Sequence, residues 1–427
     1  MLDRKNIADV FGIEIQDNAD IPLWAAYYDG TPPYLGTDGI SDTINLGYSV
    51  AHELARLVTL EFKSELSSPS ENGQGVFSWA KIVDDSPKYT EYACALGGVM
   101  LKPYYDGSRI ITNYVRADSF FPTAFDSNND ITGCIFIDSL KKGRIYFTRL
   151  EYHRYSGSSY LISNRAFMSE NDTQLGREIS LVTVPEWAEI TAEAELENVK
   201  TPLYAYLGMT DGRSAYSRAL DIFRNADEQY SRLLWEAKAT EPAVFADVTV
   251  LRPDNDKKRS KLSRLSNRLF KLLDLGDDDL IREYAPQIRD ASQINILNAI
   301  LRRAEFLCGL AYGTLSDIND TEKTASEIKT SMQRSYATVK TIQQELQNAL
   351  ERYLGVVSEL FSIYELGAFE SGASFDFDDS LVNDTETEQK ILMQEVSAGL
   401  ISPVFYLQRR YGVTEEQALE MLPKAVE

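Results

Sequence analysis

The stretch TASEIKTSMQRSYATVKTIQQELQNALERYLGVVSEL, Thr324 to Leu360, decides the fold. It has no proline, and its only glycine is Gly355. Apolar side chains fall at Ile328, Met332, Tyr336, Val339, Ile342, Leu346, Leu350, Tyr353, Val357 and Leu360. They recur every three or four residues and so line one face of a single helix. Thr324, with Glu327 three residues on, makes a capping box at its start. At about 1.5 Å per residue such a helix is roughly 55 Å long. That exceeds what a compact domain needs, so the spacing predicts a helix that crosses the molecule or reaches toward a neighbour.

On the N-terminal side of this helix the pattern changes twice. Residues 1–70 read as helical and irregular, with Val50, Leu54, Leu57, Val58 and Phe62 at helical spacing. From about 88 to 190 the chain reads as short strands. Asp106-Gly107, KKG at 141–143 and SGSS at 156–159 mark the turns. Alternation in RIYFTRLEY (144–152) predicts a sheet with one wet face. From about 214 helices return. SAYSRALDIFRNADEQYSRLLWEAKA is amphipathic through Ala219, Ile222, Phe223, Ala226, Tyr230, Leu233 and Leu234. PAVFADVTVL (242–251) reads as a strand, and 291–312 as another helix ending at Gly309 and Gly313. GTLSDIND (313–320) has the residues of a turn-rich loop. After Gly372, FDFDDSLVND reads as strand and turn, and the tail as short helices with Gly399 as a C-cap and Ser402-Pro403 as a start.

The chain has 427 residues and a formal net charge of −22. Tight nucleic-acid binding by phosphate neutralisation needs clustered Lys and Arg, so this balance argues against it. Like charge would instead let DNA pass without sticking. One basic run stands out: Lys257, Lys258, Arg259, Lys261, Arg264 and Arg268. It reads either as a solvated helical face or as a contact surface for DNA or a partner. Three widely spaced cysteines, Cys94, Cys134 and Cys308, offer neither a disulfide framework nor metal-ligand spacing. MLDRKNIADVFGIEI lacks the apolar core of a signal peptide. The most apolar helix-like stretch, INILNAILRRAEFLCGLAYG, is interrupted by Arg302, Arg303 and Glu305, so no membrane span is expected.

Catalytic chemistry is not evident. The two histidines, His52 and His153, are too few for a histidine metal site or a Ser-His-Asp triad. HELAR lacks the second histidine of a zinc-protease helix. No phosphate-binding loop, dinucleotide fingerprint or nucleophile elbow occurs. Asp376, Asp378 and Asp379 read as a solvated acidic strand rather than a cation site, and Asp277, Asp278 and Asp279 as acids at a helix N-terminus. No cofactor is expected.

Read in order, the chain resembles the portal proteins of tailed bacteriophages, especially those of small siphophages and prophages of Gram-positive bacteria. The resemblance rests on ALGGVMLKPYYDG (95–107), ADSFFPTAFDSNNDITGCIFID (117–138), GREISLVTVPEWAEI (176–190) and SAYSRALDIFRNADEQYSRLLWE (214–236). It continues through ILRRAEFLCGLAYGTLSD (300–317), KTASEIKTSMQRSYATVKTIQ (323–343) and DDSLVNDTETEQKILMQEVSAGLIS (378–402). It implies an α+β phage-portal architecture: strand-rich wing, helical stem, α/β clip, long tunnel helix and helical crown. By resemblance the wing is 1–213, stem helices are 214–240 and 291–312, and the clip is 241–290. The tunnel loop is then 313–322, the tunnel helix and its return to the wing 323–384, and the crown 385–427.

The implied function is a ring, usually of twelve subunits, at one capsid vertex, through which DNA is packaged and ejected. Implied partners are the large terminase, a head–tail adaptor, the major capsid and scaffold proteins, and double-stranded DNA passing non-specifically, with no membrane. The location is the virion, after assembly in the host cytoplasm. Packaging energy would come from a separate ATPase. The resemblance puts Gly313, Ser316, Asp317, Asn319, Asp320 and Lys323 in the tunnel loop and the basic run on the clip. It packs the stripe Ile328, Met332, Tyr336, Val339, Ile342, Leu346, Leu350 and Tyr353 on the wing and on neighbours. Two readings of other classes stay open: a hydrolase with an acidic site, and a non-portal adaptor or scaffold built on the long helix.

Overall fold

Helices and mainly antiparallel sheets together make an α+β fold. The computed structural model describes residues 4–15, 20–37, 39–67, 75–240, 243–247, 270–273, 281–284, 290–317, 325–369, 372–377, 392–411, 418, 419 and 421. The chain divides into two units, residues 1–59 with 64–374 and residues 60–63 with 375–427.

The first unit opens with α1 (Arg4–Phe11), α2 (Ile21–Tyr28) and α3 (Leu46–Thr59). After β1 (Phe62–Leu66), which the boundary between units crosses, come α4 (Trp79–Asp84) and α5 (Ser86–Leu96). Gly97 ends α5 with φ +82°, and an added Cβ would lie 2.6 Å from the Gly212 carbonyl oxygen, so only glycine fits. The hairpin of β2 (Gly98–Tyr105) and β3 (Ile110–Arg116) follows. Its turn is held by Asp106 Oδ1, which accepts from the backbone N–H groups of Ser108 and Arg109, both at 2.8 Å. These bonds hold the exposed Asp106 carboxyl down to about 2.

A six-stranded sheet then forms from β4 (Phe120–Phe125), β5 (Ile131–Lys142), β6 (Ile145–Ser156), β7 (Ser159–Ser169), β8 (Arg177–Ile179) and β9 (Glu193–Glu197). The order is β4-β5-β6-β7-β8, with β9 pairing β7 at Ser159–Ser163. β10 (Ala205–Gly208) completes the hairpin sheet on the free edge of β2.

The expectation of one wet face fails at the centre of the large sheet. Leu150, Glu151, Tyr152 and His153 are consecutive and all buried. Leu150 and Tyr152 point into a cluster with Ile7, Phe121, Ile135, Phe167 and Leu175. The opposite face is buried because its charges are paired. Glu151 takes Lys102 Nζ at 2.6 Å, Arg149 Nη1 at 3.0 Å and His153 Nε2 at 2.7 Å. Burial alone would raise the Glu151 carboxyl, but Lys102, His153 and Arg149 hold it well below the usual range. Burial pushes His153 below its ordinary value. Glu151 can only accept, so Nε2 carries the proton and Nδ1 accepts from the Tyr160 hydroxyl at 2.9 Å. That hydroxyl in turn accepts from Leu203 N–H at 3.1 Å.

The helices of the second half follow: α6 (Leu220–Ala239), three short strands β11 (Ala243–Asp247), β12 (Phe270–Leu273) and β13 (Ile281–Tyr284), then α7 (Asp290–Cys308) and α8 (Ala325–Ile363). The strands form a sheet in the order β12-β11-β13, with β11 and β12 parallel. β13 is a strand where the acids at 277–279 predict a helix start. Ile281–Tyr284 pairs antiparallel with Ala243–Ala246, and that pairing overrides the local preference. α8 lies beside α3, β2 and β10. Tyr353 Oη and Thr112 Oγ1 are 2.6 Å apart, and Gln343 Nε2 donates to the Val58 carbonyl at 3.4 Å. All three cysteines are free and buried; burial pushes the Cys94 thiol up to about 12.

The last strand, β14 (Ala373–Phe377), also crosses the boundary between units. In the second unit Phe62 stacks on Phe377, centroids 4.7 Å apart. Residues 392–397 are helical, and Gly399 ends that turn with φ +72° while Leu400 N–H reaches the Glu395 carbonyl at 2.9 Å. Ser402 Oγ then caps the helix Pro403–Tyr411 by accepting from Phe405 N–H at 3.2 Å.

Candidate functional site

The segment that joins α7 to α8 is built from its helix end. Gly309 follows Cys308 with φ +72°, and Leu310 N–H bonds the Glu305 carbonyl at 2.9 Å, a Schellman-type stop. A Cβ at Gly309 would lie 2.4 Å from Thr338 Oγ1, so this turn sits directly against α8. Leu310 is fully buried, which fixes the exit of the chain.

The next residues close on one side chain. Glu305, with 0% exposure, turns its carboxylate to the returning chain. Oε1 accepts from the N–H groups of Gly313 at 3.1 Å, Leu315 at 2.7 Å and Ser316 at 2.8 Å. The Ser316 hydroxyl lies 3.1 Å from both carboxylate oxygens. Asp317 N–H donates to Asn298 Oδ1 at 3.2 Å. From the α8 side, the Arg334 guanidinium sits 4.5 Å from the Phe306 ring centroid and 5.2 Å from that of Tyr312.

The loop residues expected from the sequence therefore separate. Gly313 has φ +90°, and Ser316 is buried against Glu305 rather than wet. Asp317 is exposed. Asn319, Asp320 and Lys323 lie outside the described residues, as does Thr324 of the capping box. So do Lys257, Lys258, Arg259, Lys261, Arg264 and Arg268, and Asp378 and Asp379; Asp376 is an exposed residue of β14. Along α8, Val339, Ile342, Leu346, Leu350 and Tyr353 are buried and Tyr336 is half-buried. Met332 is 55% exposed, because the N-terminal part of α8 meets the end of α7 through Arg334 instead of the stripe. The side chain of Ile328 lies outside the described residues.

Helices α6 and α7 pair through polar groups. Gln229 and Gln293 bond side chain to side chain, and Gln293 Nε2 donates to Glu236 Oε2 at 3.0 Å. Asp227 accepts from the Tyr34 hydroxyl at 2.7 Å and Ile44 N–H at 2.8 Å. Meanwhile Trp235, Ile294 and Ile296 face outward, 70%, 43% and 49% exposed. Sequence reasoning gave α6 an apolar buried stripe; the observed inner face past Phe223 and Ala226 is largely polar.

Glu305 was missed as a functional candidate. Its sequence signal is a single acid inside an apolar helical run, four residues before a glycine, which by itself reads only as a charge against a membrane span. No described helix is long and apolar enough to cross a membrane. Among the described residues no group of three His, Cys, Asp or Glu could hold a metal ion.

The described residues thus assemble a sheet with a buried charge network, two helices paired through polar groups and a long helix beside a braced turn. The family model of the phage portal proteins of the SPP1 Gp6-like type matches residues 77–425, and the chain belongs to that family. It is a phage portal protein of the virion that serves DNA packaging, and membership implies a ring oligomer in the capsid. A search of curated proteins gave no match.

Proposed function

We propose that the chain closes into a portal ring in which α6 and α7 form the stem, 241–290 the clip and 385–427 the crown. In this reading 1–213 is the wing, to which the chain returns through α8. The segment 313–322 faces the axial channel, where Asp317 and the chain's net charge of −22 keep passing DNA from adsorbing. The terminase motor and the head–tail adaptor dock on the clip, with the basic run at 257–268 meeting their acidic surfaces.

One observation carries the reading. The α6–α7 pair spends polar side chains on its own contact and turns Trp235, Ile294 and Ile296 to solvent. A lone protomer gains nothing from that arrangement, whereas a neighbour in a closed ring would cover those side chains. Two variants test it. Trp235→Asp together with Ile294→Asp is expected to leave a folded protein that light scattering finds as protomers. Asp317→Cys is expected to crosslink between neighbouring subunits, because loops converging on one axis come close. Rings that persist in the double variant, or a thiol that never bridges subunits and reacts freely with polymer-linked reagents too large for a channel, would contradict it.

A further inference from the structure

We propose that Glu305 is the positioning residue of the channel loop: its buried carboxylate sets the path of residues 313–317 and hence the place from which Asp317 projects. The proposal rests on the reading that this segment faces the channel.

The geometry calls for an acceptor oxygen at this one place. Three backbone N–H groups converge on Oε1, and the Ser316 hydroxyl bridges both oxygens. A buried N–H must have a partner, and these three find theirs in one side chain rather than in helix or sheet. Among the described residues Glu305 makes no ion pair, so its bonds go to the returning chain. An apolar side chain of similar size would pack α7 equally well but would leave the three donors bare. Converging donors also fix direction: a shift of the segment by one residue would break all of them together.

A second brace comes from α8. Arg334 faces both Phe306 on α7 and Tyr312 at the start of the segment. The root is thus held between the last turn of one helix and the early turns of the next. In a ring of identical subunits the same anchor acts in every copy, so each loop starts at the same height and distance from the axis. A channel of uniform bore requires that.

The experiment uses the full chain with Glu305→Ala, Glu305→Gln and Ser316→Ala. Three quantities are read: amide hydrogen exchange at 313–317, ring formation, and DNA retained in heads assembled with each variant. Glu305→Ala is expected to speed exchange at Gly313, Leu315 and Ser316 by about tenfold or more while rings still form. Heads built with it should retain less DNA. Glu305→Gln keeps an oxygen for the N–H groups and should recover most of both. Ser316→Ala, which removes only the hydroxyl, should fall between them and serves if the alanine variant fails to fold.

Unchanged exchange in Glu305→Ala, or in Ser316→Ala where that stands in, would overturn the proposal. So would faster exchange with full DNA retention, since the carboxylate would then stabilise a turn and position nothing. Failure of the Asp317→Cys crosslink in otherwise wild-type rings would remove the channel reading itself, and the proposal with it. The other two outcomes leave that reading standing.

Discussion

Glu151 and Glu305 are both buried, and they are compensated in opposite ways. Glu151, at the centre of the large sheet, is surrounded by side chains: Lys102, Arg149 and His153. Glu305, at the end of α7, is surrounded by backbone: the N–H groups of Gly313, Leu315 and Ser316. The first arrangement ties three strands together, since Lys102 lies on β2 and both Arg149 and His153 flank Glu151 on β6, with Tyr160 on β7. The second ties a helix to a segment with no regular structure. Pairing with side chains serves the stability of an element, because strand pairing already sets its path. Pairing with backbone serves the path itself, because nothing else specifies it. In the proposed ring both are needed: a wing that resists deformation and a channel lining held at one place.

The contrast can be broken most severely at Glu151. Glu151→Ala would leave Lys102, Arg149 and His153 buried without their shared acceptor. Loss of one member of such a group typically costs about 3–5 kcal/mol. Thermal unfolding should show the largest drop of any single change considered, and a variant as stable as wild type would mean the network is incidental. Glu305→Ala should cost less, about 1–3 kcal/mol from bared donors, with the effect concentrated at the loop root and visible in exchange there. If it lowers global stability as much as Glu151→Ala, the two carboxylates do not differ in kind.

Acidity sharpens the same comparison. Both His153 and Glu151 hold protons less readily in the fold than their ordinary values of 6.5 and 4.5 would give. The unfolded chain therefore takes up more protons on acidification. Their contribution is present above those ordinary values and is lost as pH falls, first below 6.5 through His153 and then below 4.5 through Glu151. His153→Phe should flatten the first of these steps in a melting-temperature profile, whereas Glu305→Ala should leave it in place. The smallest expected effect is at Met332. Its exposed side chain makes Met332→Ser close to neutral for the protomer, within about 0.5 kcal/mol. A larger loss of protomer stability would return this residue to the packed stripe.

Much of the fold was legible because local pattern and tertiary contact agree. The hairpin at Asp106-Gly107, the turns at 141–143 and 156–159, the α8 stripe from Val339 to Tyr353 and the Ser402 cap each follow from spacing or turn chemistry. What was not legible depends on chain segments meeting from afar. β13 needs β11 to exist as a strand. The buried middle of β6 needs Lys102 from another sheet. The polar inner face of α6 needs Tyr34 and Gln293, and Ser316 reads as a wet loop residue until Glu305 is seen to meet it. The site was the least legible part for this reason: Glu305 functions through three backbone groups, and backbone groups have no signature in sequence.

The most direct measurement is negative-stain imaging of the purified protein, and of procapsids assembled with it. The account predicts closed rings with a stain-filled axial channel, in the purified sample or at one vertex of the procapsid. Folded protomers alone in the first, with no ring at any vertex in the second, would contradict it.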